Sequence, residues 1–219
     1  MVTVEVDPAC VESRLLSGEI SCPSCVSGVL GGWGHARRRA IVGSVVAVRP
    51  RRSRCRGCRA THVLLPVALL LRRAYLAELI LSALEANACG LGYSRIAARL
   101  DIPAATVRGW IRAVTAGVEV LRNWFLAVAV TAGVDVSVSK ATGTRCGDVL
   151  AAVDVARCAV VDRFGADSLG VVTAAVAAVA MSGGRLLSPG WPTGAGVAGA
   201  PPVASAISGG DDRSSDTTV

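Results

Sequence analysis

The chain has 219 residues, is 52% hydrophobic but only 4% aromatic, and carries a formal charge of +7. That length suits one large domain or two small ones with a tail. The apolar content is mainly Ala, Val and Leu, which suits close-packed helices and excludes an aromatic-rich sandwich core. No stretch offers 18 uncharged apolar residues, so a spanning helix is excluded; the nearest approach, "LGVVTAAVAAVAM" (169–181), reads as a buried helix.

The opening "MVTVEVDPACVESRL" has neither a basic start nor a long apolar run, so no secretory signal is expected and the compartment is read as cytoplasmic. Lasting disulfides are uncommon there. Charge is uneven along the chain. Residues 1–125 hold 17 Arg against 8 acids, and residues 126–219 hold 6 Lys plus Arg against 8 Asp. A basic front half points to an anionic partner, most often nucleic acid. Only Lys140 among the 23 basic residues is lysine. Such a preference for arginine is also what a GC-rich genome produces.

Two Cys-x2-Cys pairs follow, Cys22/Cys25 in "SCPSC" and Cys55/Cys58 in "RCRGC", separated by 29 residues. Each pair can place two sulfurs on one tetrahedral ion, and two pairs close the shell of a structural Zn²⁺ site. A redox reading would need one pair to open a helix after a strand, and neither is so placed. His35 and His62 could each replace a thiolate, but four cysteines make that unnecessary. Cys10, Cys89, Cys146 and Cys158 have no pair spacing and are expected as buried thiols. A β-hairpin fits between the knuckles: "GVLGGWGHARRRAIV" as its first strand and "VVAVRPRRSR" (45–54) as its second, up to Pro50. Zinc would stabilise a segment too small and polar to fold on apolar burial alone. It would also fix a basic surface. Arg37, Arg38, Arg39, Arg49, Arg51, Arg52, Arg54, Arg56 and Arg59 are nine arginines within 23 residues, with no acid among them. Such a run is either a solvated face or a phosphate-binding one; Arg51, Arg52, Arg54 and Arg56 are taken as candidate DNA contacts.

Pro66 can open a helix at its first turn. In the segment after it, Leu76, Leu79, Ile80, Ala83 and Leu84 share one face, and "ACGLG" ends the helix through Gly90 and Gly92. "YSRIAARLDIPAATVRGWIRAV" (93–114) then places Tyr93, Ile96, Ala97 and Leu100 on one helical face. Asp101, Ile102 and Pro103 connect it to a second helix with Val107, Trp110, Ile111 and Val114 inward. Ile102 falls at the N-cap position and cannot cap. This is the pattern of a tri-helical helix-turn-helix; the competing reading is two amphipathic helices of an ordinary bundle. On the first reading the outer face of the last helix carries Ala105, Thr106, Arg108, Gly109 and Arg112, with Thr106, Arg108 and Arg112 as DNA contacts.

The chain resembles the transposon-associated proteins of actinobacteria that join an N-terminal zinc ribbon to a helix-turn-helix, a domain of unknown function. The resemblance rests on "VEVDPACVESRL", "SCPSC", "GWGHARRR", "RPRRSRCRGCRATHVLLPV", "LLRRAYLAELI", "RIAARLDIPAATVRGWIR" and "SGGRLLSPGWP", and covers roughly residues 1–192. It implies a DNA-related role near mobile elements and a zinc-ligand role for Cys22, Cys25, Cys55 and Cys58. It supplies no catalytic residues. Such ribbons place small residues directly after the first knuckle, often Gly-Gly, whereas here Val26 follows Cys25.

In the rear half, 118–133, 147–165 and 166–184 read as helices, the last ended by Gly183 and Gly184, with "RLLSPGWP" folding back so that Trp191 covers the bundle. Residues 193–219 lack large apolar groups and read as a loose tail. The expected architecture is therefore mainly α with a small N-terminal β zinc ribbon. Residues 1–65 form the ribbon with an N-terminal extension, 66–116 the helix-turn-helix, 117–192 an Ala-rich helical region, and 193–219 the tail. The expected function is a DNA-binding protein of a mobile element, nucleoid-associated. Its partners would be duplex DNA, a transposase, and a second copy through residues 117–192, with no membrane. A two-metal transposase needs a carboxylate constellation, usually two Asp and one Glu. The last Glu is Glu119, so the chain is read as a non-enzyme. The alternatives are a degenerate transposase remnant and a zinc-ribbon docking module for RNA or protein.

Overall fold

The computed structural model describes residues 1–133, 142–165 and 172–192. Among them lie four strands and seven helices. The strands form one sheet in the order β1-β4-β3-β2. Here β1 is Val2–Val4, β2 Leu30–His35, β3 Arg51–Cys55 and β4 Thr61–Pro66. β1 runs parallel to β4, while β3 pairs antiparallel with both β4 and β2. In the β2–β3 hairpin Leu30 faces Cys55 and His35 faces Arg51, with an irregularity between Gly32 and Gly34. The second strand thus begins after Pro50, whereas the sequence pattern puts it before. Upstream of Pro50 only an isolated Arg39–Val48 bridge continues the pairing.

Helix α1 (Pro8–Ser17) was not anticipated. Its signals are local: the Asp7 carboxylate accepts from the Ala9 N–H at 2.9 Å, Pro8 opens the first turn, and Gly18 closes the helix at φ +78°. The helix lays Val11 and Leu15 on Val4, Ile20, Leu30 and Leu64, in a small core that also holds Cys22 and Cys55. The ribbon therefore has more apolar cover than residues 20–60 alone could give it.

The helical body comprises α2 (Ala77–Ala88), α3 (Tyr93–Leu100), α4 (Ala104–Ala116), α5 (Val118–Thr131), α6 (Arg145–Phe164) and α7 (Ala174–Ser182). α2 starts at Ala77, so Pro66 does not open a helix; it ends β4, next to the hydrogen bond from the Val67 N–H to the Val4 carbonyl. The intervening loop is held by Leu69 and Leu70, both buried. Ile80, Ala83 and Leu84 are buried as their spacing predicts, and α2 ends just before Gly90 at φ +88°.

The α3–α4 connection is short. Asp101 takes a left-handed conformation at φ +52°, and its N–H bonds the Ala97 carbonyl. Ile102 is buried, not at the cap; Pro103 occupies the N-cap and makes no side-chain hydrogen bond. Ile96, Ala97, Val107, Trp110 and Val114 are buried as expected, but Tyr93 is 40% exposed. Trp110 meets the Tyr75 ring edge-on at 5.0 Å between centroids.

One continuous core joins residues from Leu70 to Leu187 and includes every helix from α2 to α7. Trp191 packs edge-on against Trp124, and the Trp124 indole donates to the Met181 carbonyl. The body meets the sheet where a Cβ on Gly184 would lie 2.6 Å from the Leu65 side chain. There the Leu71 N–H bonds the Gly184 carbonyl at 2.7 Å. Among the described residues no single helix is long and apolar enough to cross a membrane; α4 and α5 meet at 70°. The tail expected over 193–219 and the first part, 166–171, of the helix expected over 166–184 lie outside the described residues; the rest of that helix is α7.

Candidate metal centre and basic surface

The two knuckles come together. The sulfurs of Cys22, Cys25, Cys55 and Cys58 all lie within 4.8 Å of one another. Across the knuckles the sulfurs lie 3.7 Å apart for Cys22–Cys58 and 3.6 Å for Cys25–Cys55. A disulfide needs about 2.05 Å. A tetrahedral ion with metal–sulfur bonds of about 2.3 Å has sulfurs about 3.8 Å apart. The spacing therefore fits a metal and excludes a disulfide. A redox pair at a helix start is not seen either, since Cys55 ends β3 and Cys22 precedes a turn and no helix.

The local backbone is built for these sulfurs. The Cys22 N–H bonds the Gly28 carbonyl at 2.7 Å and so closes the first knuckle. A Cβ on Gly28 would lie 2.4 Å from the Cys55 sulfur and 2.5 Å from that of Cys25. Gly28 is thus the small residue the site requires, displaced from the position directly after Cys25. Val26, which stands there, projects fully into solvent. Burial works against ionising Cys55, but N–H groups of Cys58 and Gly57, with the Cys25 and Cys22 thiols, outweigh it and lower its pKa. Hydrogen bonding to Cys58 and Cys55 raises that of Cys25. A bound cation would displace whatever protons the four thiols retain.

His62 lies outside the ligand set. Its Nε2 is 3.5 Å from the Cys22 sulfur and its Nδ1 is 3.1 Å from the Met1 ammonium. Burial, then the nearby ammonium, pushes its pKa below the ordinary imidazole value. When Nδ1 accepts from the amine, Nε2 carries the proton toward the Cys22 sulfur. A hydrogen bond of that kind orients and stabilises a ligand. His62→Ala should keep the metal stoichiometry but weaken affinity by roughly 10- to 100-fold, read by competition with a chromogenic chelator. An unchanged affinity would mean that the imidazole only fills space. His35 is exposed and takes no part. Cys146 is buried as expected, but Cys10, Cys89 and Cys158 are exposed: their helix phase or loop position overrides the usual burial of the thiol.

The arginines of "RRSRCR" separate by strand alternation. Arg51, Ser53 and Cys55 face α1 and the metal cluster. Arg51 forms an ion pair with Glu12, Nε to Oε1 at 2.6 Å, and donates to the Gly34 carbonyl at 2.7 Å. Arg51 thus joins α1 to the hairpin. Arg52 and Arg54 take the opposite face, and Arg56 follows in the turn after β3. Arg52 and Arg56 are exposed, while Arg54 lies over the Trp33 ring at 4.6 Å and donates to the Arg59 carbonyl. Arg37, Arg38 and Arg49 line a separate shallow depression with Ala36 and Ala47.

On the helical body Arg108 and Arg112 are exposed on α4, and Thr106 is half-buried. The Arg108 guanidinium lies 5.8 Å from the Tyr93 ring centroid. This contact explains the exposure of Tyr93. Arg95 and Arg99 are also exposed on α3. They were not singled out from the sequence, although the inward set Ile96, Ala97 and Leu100 already assigns them to the outer face. No protein-family model matches this chain, and no curated protein or solved structure matches it significantly.

Proposed function

We propose that this protein binds duplex DNA through a helix-turn-helix made by α2, α3 and α4, beside a zinc ribbon that carries phosphate-binding arginines. The observation that carries the reading is the outer surface of α3 and α4. Arg95, Arg99, Arg108 and Arg112 are all exposed there, around a three-residue turn. Val107, Trp110 and Val114 anchor α4 from behind. A helix held in this way can enter a major groove with its first turns against base edges. Arg108, steadied by Tyr93, is assigned to base readout, with Thr106 and Arg112 beside it. Arg52, Arg54 and Arg56 are assigned to phosphate.

The ion is assigned as Zn²⁺. Four thiolates in a closed tetrahedral shell suit zinc and leave no open position for chemistry, so the role is structural. The protein is read as a non-enzyme. Asp148 accepts from the Thr142 N–H and hydroxyl at the start of α6, and Asp154 pairs with Arg157 at 2.7 Å. These carboxylates have local structural partners. A DNA-related role near a mobile element is the setting the resemblance implies; a transposase partner and a place in the nucleoid are proposed with it.

Selection from random duplex DNA with the zinc-loaded protein tests the reading. A preferred site should emerge, and Arg108→Ala should cost about 1–3 kcal/mol on that site and little on random duplex. Replacing Arg52 and Arg56 should weaken all sequences alike and lower the salt slope by about 0.9 per lost phosphate contact. Equal losses on specific and random DNA for Arg108→Ala would make α3–α4 a structural helix pair.

A further inference from the structure

The hairpin carries a feature that duplex binding does not use. Trp33 sits at the irregularity in β2 and is 53% exposed. A half-exposed indole beside guanidinium groups offers a face on which a base can stack. The Arg54 guanidinium covers one side of the ring, and its Nε is tied to the Arg59 carbonyl at 3.2 Å, so the pair is held in place. Gly32 and Gly34 flank the tryptophan, so no neighbouring side chain on β2 shields it. A Cβ placed on Gly34 would touch nothing within 4 Å. Arg52 shares the face of Arg54 by alternation, and Arg56 follows in the turn after β3. A Cβ on Gly31, opposite Arg54, would come within 3.3 Å of the Arg56 Nε.

We infer that this face of β2–β3 is a stacking site for an unpaired base of single-stranded DNA, with Trp33 as platform and Arg52, Arg54 and Arg56 on the flanking phosphates. The charge is complementary to a phosphate backbone and unsuited to a typical protein surface: residues 37–59 hold nine arginines and no acid. In a duplex the π-faces of the bases are covered by their neighbours. A free indole beside guanidinium groups therefore suits a base that has left the stack. The proposal rests on the nucleic-acid reading above: it shares the phosphate-binding arginines of the hairpin and adds Trp33, which duplex binding does not use, for a different substrate form.

The test uses full-length, zinc-loaded protein and a fluorescein-labelled oligo(dT) of about 15 nucleotides, with a random duplex of equal length as comparison. Wild type should bind oligo(dT), with quenching of its tryptophan emission by unlabelled oligomer. Trp33→Ala should weaken oligo(dT) binding by about 5- to 150-fold, since stacking on one aromatic is worth that factor, and leave duplex binding unchanged. Trp33→Phe should keep most of the affinity but lose the quenching, because Trp110 is buried and Trp124 and Trp191 pack on each other. Both variants should retain one equivalent of zinc, as an exposed side chain demands. An oligo(dT) affinity untouched by Trp33→Ala would overturn the site. Equal losses on single strand and duplex, or tighter binding of oligo(rU) than oligo(dT), would also overturn it. Arg108→Ala should leave oligo(dT) binding intact, so the two assignments can fail separately.

Discussion

Gly28→Ala should yield a protein that purifies with far less than one equivalent of metal and with its N-terminal sheet unfolded. The added methyl would lie 2.4 and 2.5 Å from two of the four sulfurs. Real Cβ atoms do not approach sulfur so closely, and sulfurs on a tetrahedral edge of about 3.8 Å cannot retreat without losing the ion. Nor can the loop move away easily, because the Gly28 carbonyl accepts the Cys22 N–H. Zinc in small peptide sites contributes roughly 10–16 kcal/mol, as much as the whole stability of many domains. The core around Val4, Val11, Leu15 and Leu64 includes Cys22 and Cys55, so it should loosen with the site. The helical core from Leu70 to Leu187 is a separate cluster and should keep most of the far-ultraviolet helical signal. Elemental analysis with limited proteolysis around residues 20–60 measures both effects. Val26→Ala, at a fully exposed neighbour, should change neither. A Gly28→Ala protein with a full metal complement and an intact hairpin would show that the cluster is not held as described.

The four-cysteine cluster was legible because its chemistry is written in spacing alone: two cysteines per knuckle and a spacer long enough for a hairpin. The helices from α2 onward were legible because their apolar residues recur at steps of three and four over several turns. What escaped depends on contacts between distant segments. The pairing of Gly31, Gly32 and Gly34 with Arg54, Ser53 and Arg52 is set by the irregularity at Trp33, which no residue pattern announces. A one-residue change of register exchanges the two faces of a strand. The sorting of Arg51 to Glu12 and of Arg54 to Trp33 therefore follows from the fold. Pro66 has two readings, helix opener or strand end, and the parallel pairing with Val4 decides between them. α1 is the opposite case. Its Asp-Pro start and glycine stop stood in plain view, but only Val11 and Leu15 are buried along it, too few to give a clear period.

Neighbouring residues on α4 should respond in opposite directions, and the contrast tests both the packing and the proposed DNA-facing surface. Trp110 is 2% exposed, meets Tyr75, and belongs to the main core. Trp110→Ala should cost about 3–5 kcal/mol, since the transfer energy of the ring is lost and a cavity remains. That is a large fraction of a typical domain's stability of about 5–15 kcal/mol, so much of the protein should be lost to partial unfolding. Gly109, one residue earlier, would place a Cβ in open space. Gly109→Ala should therefore gain up to about 1 kcal/mol, because glycine in a helix interior is less favourable than alanine by that amount. Urea unfolding of the zinc-loaded proteins, followed by circular dichroism, reads both shifts. A loss below 1 kcal/mol for Trp110→Ala would contradict its placement in the core. The glycine variant also bears on function. Gly109 lies between Arg108 and Arg112 on the exposed side of α4. If that side enters a groove, the new methyl should make the protein more stable and yet weaken its binding to the selected duplex. A stabilised variant that binds as tightly as wild type would mean that α4 meets DNA through another face, and Arg108 would lose its assignment with it.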